Sequence, residues 1–154
     1  MIPLETTPLY APDSYLNLYW DSQRNTTEWS VFMRELTTAG NAIARLELQL
    51  IAPTLHGAHI GLFDSHALLA DMYARPELYL NGSAPFNVTG AAHACVYQFD
   101  ESQLDPGVCT NAPDPDSYLW WDELHPGVQA NRVVGKAISD VIHRRSEQWI
   151  TWLS

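Results

Sequence analysis

Lysine is nearly missing from this sequence: Lys136 is the single one among 154 residues. With 8 Lys and Arg against 18 Asp and Glu, the formal net charge is −10. A surface of that sign argues against nucleic acid and anionic membrane faces as partners, since both are held through a basic footprint. Long apolar runs are missing too, and none approaches the roughly 18 residues of a membrane span. The Met1 end has neither a basic segment nor an apolar core, so the expectation is that no signal peptide lies within these residues. Cysteine is scarce. Cys95 and Cys109 sit in a stretch rich in Pro, Asp and Gly. Such a pair reads as a disulfide in an oxidising compartment and as two buried thiols otherwise. There is no internal repeat, low-complexity tract or domain boundary.

What is present describes a folded protein. The hydrophobic fraction is 46%, with six tryptophans, a core-forming composition rather than a disordered one. A chain of this length is one domain's worth and buries about two-thirds of its unfolded surface. Three N-x-S/T sequons, at Asn25, Asn81 and Asn87, exceed what chance places in such a chain and point to a secreted glycoprotein. Its leader is then expected upstream.

In chain order, the segment from Ile2 to Tyr15 is too rich in proline for a helix. Thr26-Thr27-Glu28 reads as the capped start of a long helix to about Leu50. Trp29, Phe32, Leu36, Ala39, Ile43, Leu46 and Leu50 lie largely on one face, with a soft spot at Gly40-Asn41. Residues 58–63 form a short apolar run, read as a buried strand. Asp64-Ser65-His66 then opens a short helix to about Tyr73, with Ser65 as its cap. Residues 75–117 read as one long irregular segment, which needs a clamp or a function. The last helix is expected from about Val128 to Trp152, with Val133, Val134, Ala137, Ile138, Val141 and Ile142 facing the core. Arg144 and Arg145 would sit late in that helix, where cations suit its dipole.

The chemistry concentrates in Tyr118-Leu119-Trp120-Trp121-Asp122-Glu123-Leu124-His125-Pro126-Gly127. An acid and a histidine three residues apart suit a base and its orienter: the carboxylate accepts from one ring nitrogen and leaves the other to take a proton. The same residues also suit a helix entry, with Asp122 turned to backbone N–H groups and His125 facing water or the core. The first picture requires an Asp122 oxygen at roughly 2.6–3.2 Å from His125 Nδ1 and an open cleft beyond the other nitrogen.

This stretch resembles the last sequence block of the GDSL, or SGNH, serine ester hydrolases, Y-x-F-W-D-x-x-H-P-T, and most closely their fungal secreted acetyl-esterase and lipase-like branch. Tyr118, Trp121, Asp122, His125 and Pro126 match; Trp120 replaces Phe, and Gly127 replaces Thr. The likeness extends to the proline-rich N-terminal segment, to Asn41, which matches the asparagine of the family's Y-N-x-x-L phrase, and to the phrase that Phe63-Asp64 opens. It implies an α/β fold: a three-layer α/β/α, flavodoxin-like sandwich with a five-stranded parallel sheet. Residues 1–154 would be its C-terminal half, holding the tail of strand four, strand five and their helices. Such a half should expose apolar surface, because parallel strands are covered on both faces.

The resemblance implies His125 as general base and then acid, Asp122 as its orienter, and no cofactor or metal. The F-G-D-S block that carries the nucleophile is absent from these residues, as are the glycine and G-x-N-D blocks that help build the oxyanion hole. Leu62-Phe63-Asp64-Ser65 looks like the nucleophile block but follows the last sheet strand rather than the first, so Ser65 is rejected. Either a missing N-terminal half supplies the serine or the chain is a non-catalytic remnant. Trp120 and Trp121 would divide between core packing and a wall for an acyl chain or sugar ring. His56, His59, His66 and His93 read as loop histidines rather than zinc ligands. Asp13 with Asp21, and Asp100 with Glu101, read as solvated acids rather than glycosidase pairs. The expected substrate is a small-molecule or polysaccharide ester. The rival reading is a secreted module that binds carbohydrate or a partner through its Trp-rich surface.

Overall fold

The computed structural model describes residues 3–83, 85–98 and 107–154. Among the described residues, the regular elements are three α-helices and six short β-strands, with four short 3-10 turns between or before them. Helix α1 (Thr26–Ile51) is the longest, and Asn25 caps it by accepting from the Glu28 backbone N–H at 3.1 Å. The cap is therefore Asn25, not the threonines after it. A short polar side chain one residue earlier reaches the same orphan donor. Gly40-Asn41 leaves the helix unbroken. Strand β1 (Gly61–Phe63) leads into α2 (Ser65–Ala74), capped by Asp64 rather than Ser65.

Residues 75–117 are more regular than their composition suggests. They contain β2 (Asn87–Ala91), β3 (His93–Val96) and β4 (Val108–Asn111). Strands β3 and β4 pair antiparallel, with Cys95 directly opposite Cys109. The two sulfurs are bonded, and their Cα atoms lie 4.0 Å apart. Strand β2 pairs parallel with β5 (Tyr118–Trp120). Helix α3 (Val128–Ile142) follows, and β6 (Ile150–Trp152) returns antiparallel along β1.

The expected helix to Trp152 thus stops ten residues early. Arg144 adopts φ 55°, a left-handed conformation that ends a helix. The β-branched and aromatic run Ile150-Thr151-Trp152 then finds an edge to pair with on β1. Arg144 and Arg145 lie past the last helical turn instead of inside it. Strand β1 is half-exposed, not buried, because its partner β6 lies at the surface.

The core gathers Leu68, Leu69 and Met72 of α2, Leu119 and Trp120 of β5, and Ala130 of α3. Val133, Val134 and Ala137 pack against it from α3, and Val141 is buried. Ile138 and Ile142, expected inward, are exposed, since each stands about 100° round the helix from the core-facing Ala137 and Val141. Helix α1 stands apart from this core. Its apolar stripe of Phe32, Leu36, Ile43, Leu46 and Leu50 faces solvent, with Phe32 58% and Leu50 77% exposed. The fold mixes helices and strands, as an α/β reading requires.

Candidate active site

Strand β5 delivers the site. Its Trp120 is fully buried and donates its indole N–H to the Val88 carbonyl at 2.8 Å, which joins β5 to β2. The chain then turns back on itself. Trp121 N–H donates to the His125 carbonyl at 2.8 Å and Gly127 N–H to the Leu119 carbonyl at 2.7 Å. This closure brings residue 127 against the strand it has just left. A Cβ on Gly127 would lie 2.8 Å from the Tyr118 carbonyl oxygen, so glycine here permits a backbone approach that threonine would obstruct.

Within the closed loop, Asp122 serves both roles open to it. Its Oδ1 accepts from the backbone N–H of Leu124 at 2.9 Å and of His125 at 2.7 Å, which fixes the turn. The same carboxylate faces the histidine ring, with His125 Nδ1 3.0 Å from Oδ1 and from Oδ2. The donors it caps belong to its own turn, not to α3, whose N-cap Gly127 has no side-chain partner. The His125 side chain is 60% exposed while that of Asp122 is 15% exposed. The carboxylate is held and the imidazole is presented.

Tyr19, from the N-terminal loop, completes the group. Its hydroxyl lies 2.7 Å from Asp122 Oδ2 and 3.1 Å from His125 Nδ1. Burial pushes the Asp122 carboxyl up, but donation by Tyr19, by two backbone N–H groups and by His125 outweighs it, and the net shift is below the ordinary value. The Tyr19 phenol moves the other way: burial, and then its hydrogen bond to the carboxylate, raise it well above its ordinary value. No sequence signal marks Tyr19, because it lies 103 positions from Asp122.

The neighbouring acid is turned inward. Glu123 is 1% exposed, and its Oε1 accepts from the Tyr15 hydroxyl at 2.7 Å and the Cys95 backbone N–H at 3.0 Å. It ties the loop to the disulfide hairpin and to the N-terminal segment. Nothing in the sequence marks this role, since a glutamate between an Asp and a His suggests solvent.

Trp120 belongs to the core, whereas Trp121 is 39% exposed. The Trp121 ring stacks on His93 with centroids 5.8 Å apart and planes 15° from parallel. Ser65 is the first residue of α2, and Asn41 is half-buried in α1. Among the described residues, the side chains close enough together to share an ion are His93, Cys95 and Cys109, and those two sulfurs are bonded to each other. His56 and His59 are exposed in the turn after α1, Asp13 is exposed, and Asp100 and Glu101 lie outside the described residues. The sequon residues Asn25 and Asn81 are exposed; Asn87 is half-buried in β2, its Oδ1 accepting from the backbone N–H groups of Thr89 and Gly90.

No family profile matches the chain. It is similar to a fungal esterase. An acetylesterase of Hypocrea jecorina is 30% identical to it over 158 residues, covering 97% of this chain and 43% of that protein. The chain spans less than half the length of that relative.

Proposed function

We propose that residues 1–154 carry the acid–base half of a secreted serine ester hydrolase of the SGNH type, acting on acetyl or other acyl esters. The observation that carries this reading is the held carboxylate against His125 Nδ1 at 3.0 Å, with the ring presented to solvent. With Nδ1 facing an acceptor, Nε2 is the nitrogen left to take a proton from a serine hydroxyl and return it to the leaving alkoxide. Asp122 stabilises the imidazolium formed between those steps. The serine and the oxyanion donors come from polypeptide outside these residues, which the greater length of the acetylesterase relative supports. So does the bare stripe on α1, a contiguous apolar surface of the kind that a single folded chain rarely leaves open. The same division explains why the His125 side chain is so exposed: the second wall of its cleft belongs to the missing half. The sequons at Asn25, Asn81 and Asn87, together with the Cys95–Cys109 bridge, fit an extracellular location.

The test is ester hydrolysis by a polypeptide that includes the serine block. Turnover of p-nitrophenyl acetate should fall by roughly a thousandfold or more in His125→Ala, as losing one member of a triad does. Exposed Trp121 against His93 supports the alternative, a carbohydrate-binding module. Sugar binding that survives His125→Ala, from a protein with no turnover at all, would select that reading instead.

A further inference from the structure

The loop of residues 15–20 grips both acids of the site loop, and it does so with two tyrosines four positions apart. Tyr15 donates to Glu123 and Tyr19 to Asp122, each at 2.7 Å. Fully buried Asn17 shapes the loop between them. Its Oδ1 accepts from the backbone N–H groups of Tyr19 at 3.0 Å and Trp20 at 3.2 Å, and its Nδ2 donates to the Tyr15 carbonyl at 2.9 Å. The Leu16 carbonyl is in turn held by Tyr97 N–H at 2.9 Å. The two hydroxyls are therefore presented by a fixed scaffold and not by a loose strand of chain.

A phenol has one proton to give. At Tyr19 the shorter contact is to Asp122 Oδ2, at 2.7 Å against 3.1 Å to His125 Nδ1, and the carboxylate is the stronger acceptor. With the proton spent there, the phenol oxygen turns a lone pair toward the imidazole. Nδ1 then faces three oxygens, none of which has a proton to offer it: Asp122 Oδ1, Asp122 Oδ2 and Tyr19 Oη. An unprotonated Nδ1 would set its own lone pair against all three. A protonated Nδ1 turns its one N–H toward them, replacing repulsion with attraction, and leaves Nε2 free.

We propose that Tyr19 is a positioning residue that fixes the tautomer and orientation of the His125 ring, acting through and beside Asp122. Tyr15 does something different, fastening the inward-turned Glu123 and touching neither His125 nor its acid. The ionisable groups facing the ring are Asp122 from its own loop and Tyr19 from the N-terminal loop. Glu123 acts at longer range, adding its charge to the forces that keep the Tyr19 phenol protonated. This inference rests on the acid–base reading of His125 for its use in catalysis, but its test needs no turnover.

The measurement is the pair of ring ¹⁵N shifts of neutral His125 in this chain. The unmutated protein should show a single tautomer, with Nδ1 at the protonated position and Nε2 at the unprotonated one. Tyr19→Phe should lose that single state and give averaged shifts for both nitrogens, while Tyr15→Phe lowers the melting temperature and leaves the ring shifts as they were. Ring shifts in Tyr19→Phe identical to the unmutated ones would overturn the proposal. An Nε2–H tautomer in the unmutated chain would overturn it without any variant. If these shifts behave as expected and His125→Ala leaves ester turnover intact in the longer polypeptide, the esterase reading fails and the role of Tyr19 stands.

Discussion

Helices α1 and α3 carry the same kind of sequence pattern and meet opposite fates. Both place apolar side chains at helical spacing along one face. In α3 that face closes over Leu119 and Trp120 and, by burying Ala130 against them, fixes the helix that follows the site loop. In α1 the stripe from Phe32 to Leu50 meets solvent. Periodicity states which side of a helix is to be covered, and it is silent on what covers it. For α3 the cover is β5, less than ten residues away in sequence, together with α2; for α1 the stripe is open among the described residues, and the proposed function assigns its cover to a longer polypeptide.

The contrast predicts unequal costs of substitution. Trp120→Ala should destabilise the chain by about 3–5 kcal/mol, since it empties a buried site and also orphans the Val88 carbonyl. In a chemical-denaturation series it should abolish or nearly abolish the folded state. Leu50→Ser, at the far end of the α1 stripe, should change the stability of this chain by no more than about 0.5 kcal/mol. If a longer polypeptide covers the stripe, as the proposed function requires, the same substitution should become costly there. An equal and small effect in both would mean that nothing docks on α1, and the contrast between the two helices would lose its meaning.

A smaller effect separates the two regions by pH. The Asp122 carboxyl is held below its ordinary value, so its contribution is fully present above the unfolded-state value, near pH 4, and is lost as pH falls through the lower folded-state value. Acid titration should therefore loosen the loop of residues 121–126 first, read as faster amide exchange at Leu124 and His125, whose N–H groups it holds. The melting temperature of Asp122→Asn should depend less on pH over that window than that of the unmutated chain. A parallel dependence would show that the carboxylate is not held as described.

Much of the site was legible in sequence because it is local. Asp122 and His125 sit three residues apart in one turn, and the aromatic run before them marks the strand that delivers the turn. The cysteine pair was legible for a similar reason: 14 residues of separation suit a hairpin whose opposite positions can be bonded. What remained hidden depends on contacts between distant segments. Tyr19 and Tyr15 lie more than a hundred positions from the acids they grip, and only the path of the N-terminal loop brings them there. Glu123 reads as a solvated residue until Tyr15 and Cys95 supply its donors. The early stop of α3 was hidden because Ile150-Thr151-Trp152 also fits a helical face. It becomes a strand only because β1 presents an edge.

Under the proposed function, these residues hold the acid and base of an esterase but not its nucleophile. Covalent labelling with a fluorophosphonate serine probe addresses it directly. The 154-residue chain should take up no label, and a polypeptide that also includes the serine block should take up one equivalent, at a serine outside these residues. Stoichiometric labelling of this chain by itself, above all at Ser65, would contradict the account.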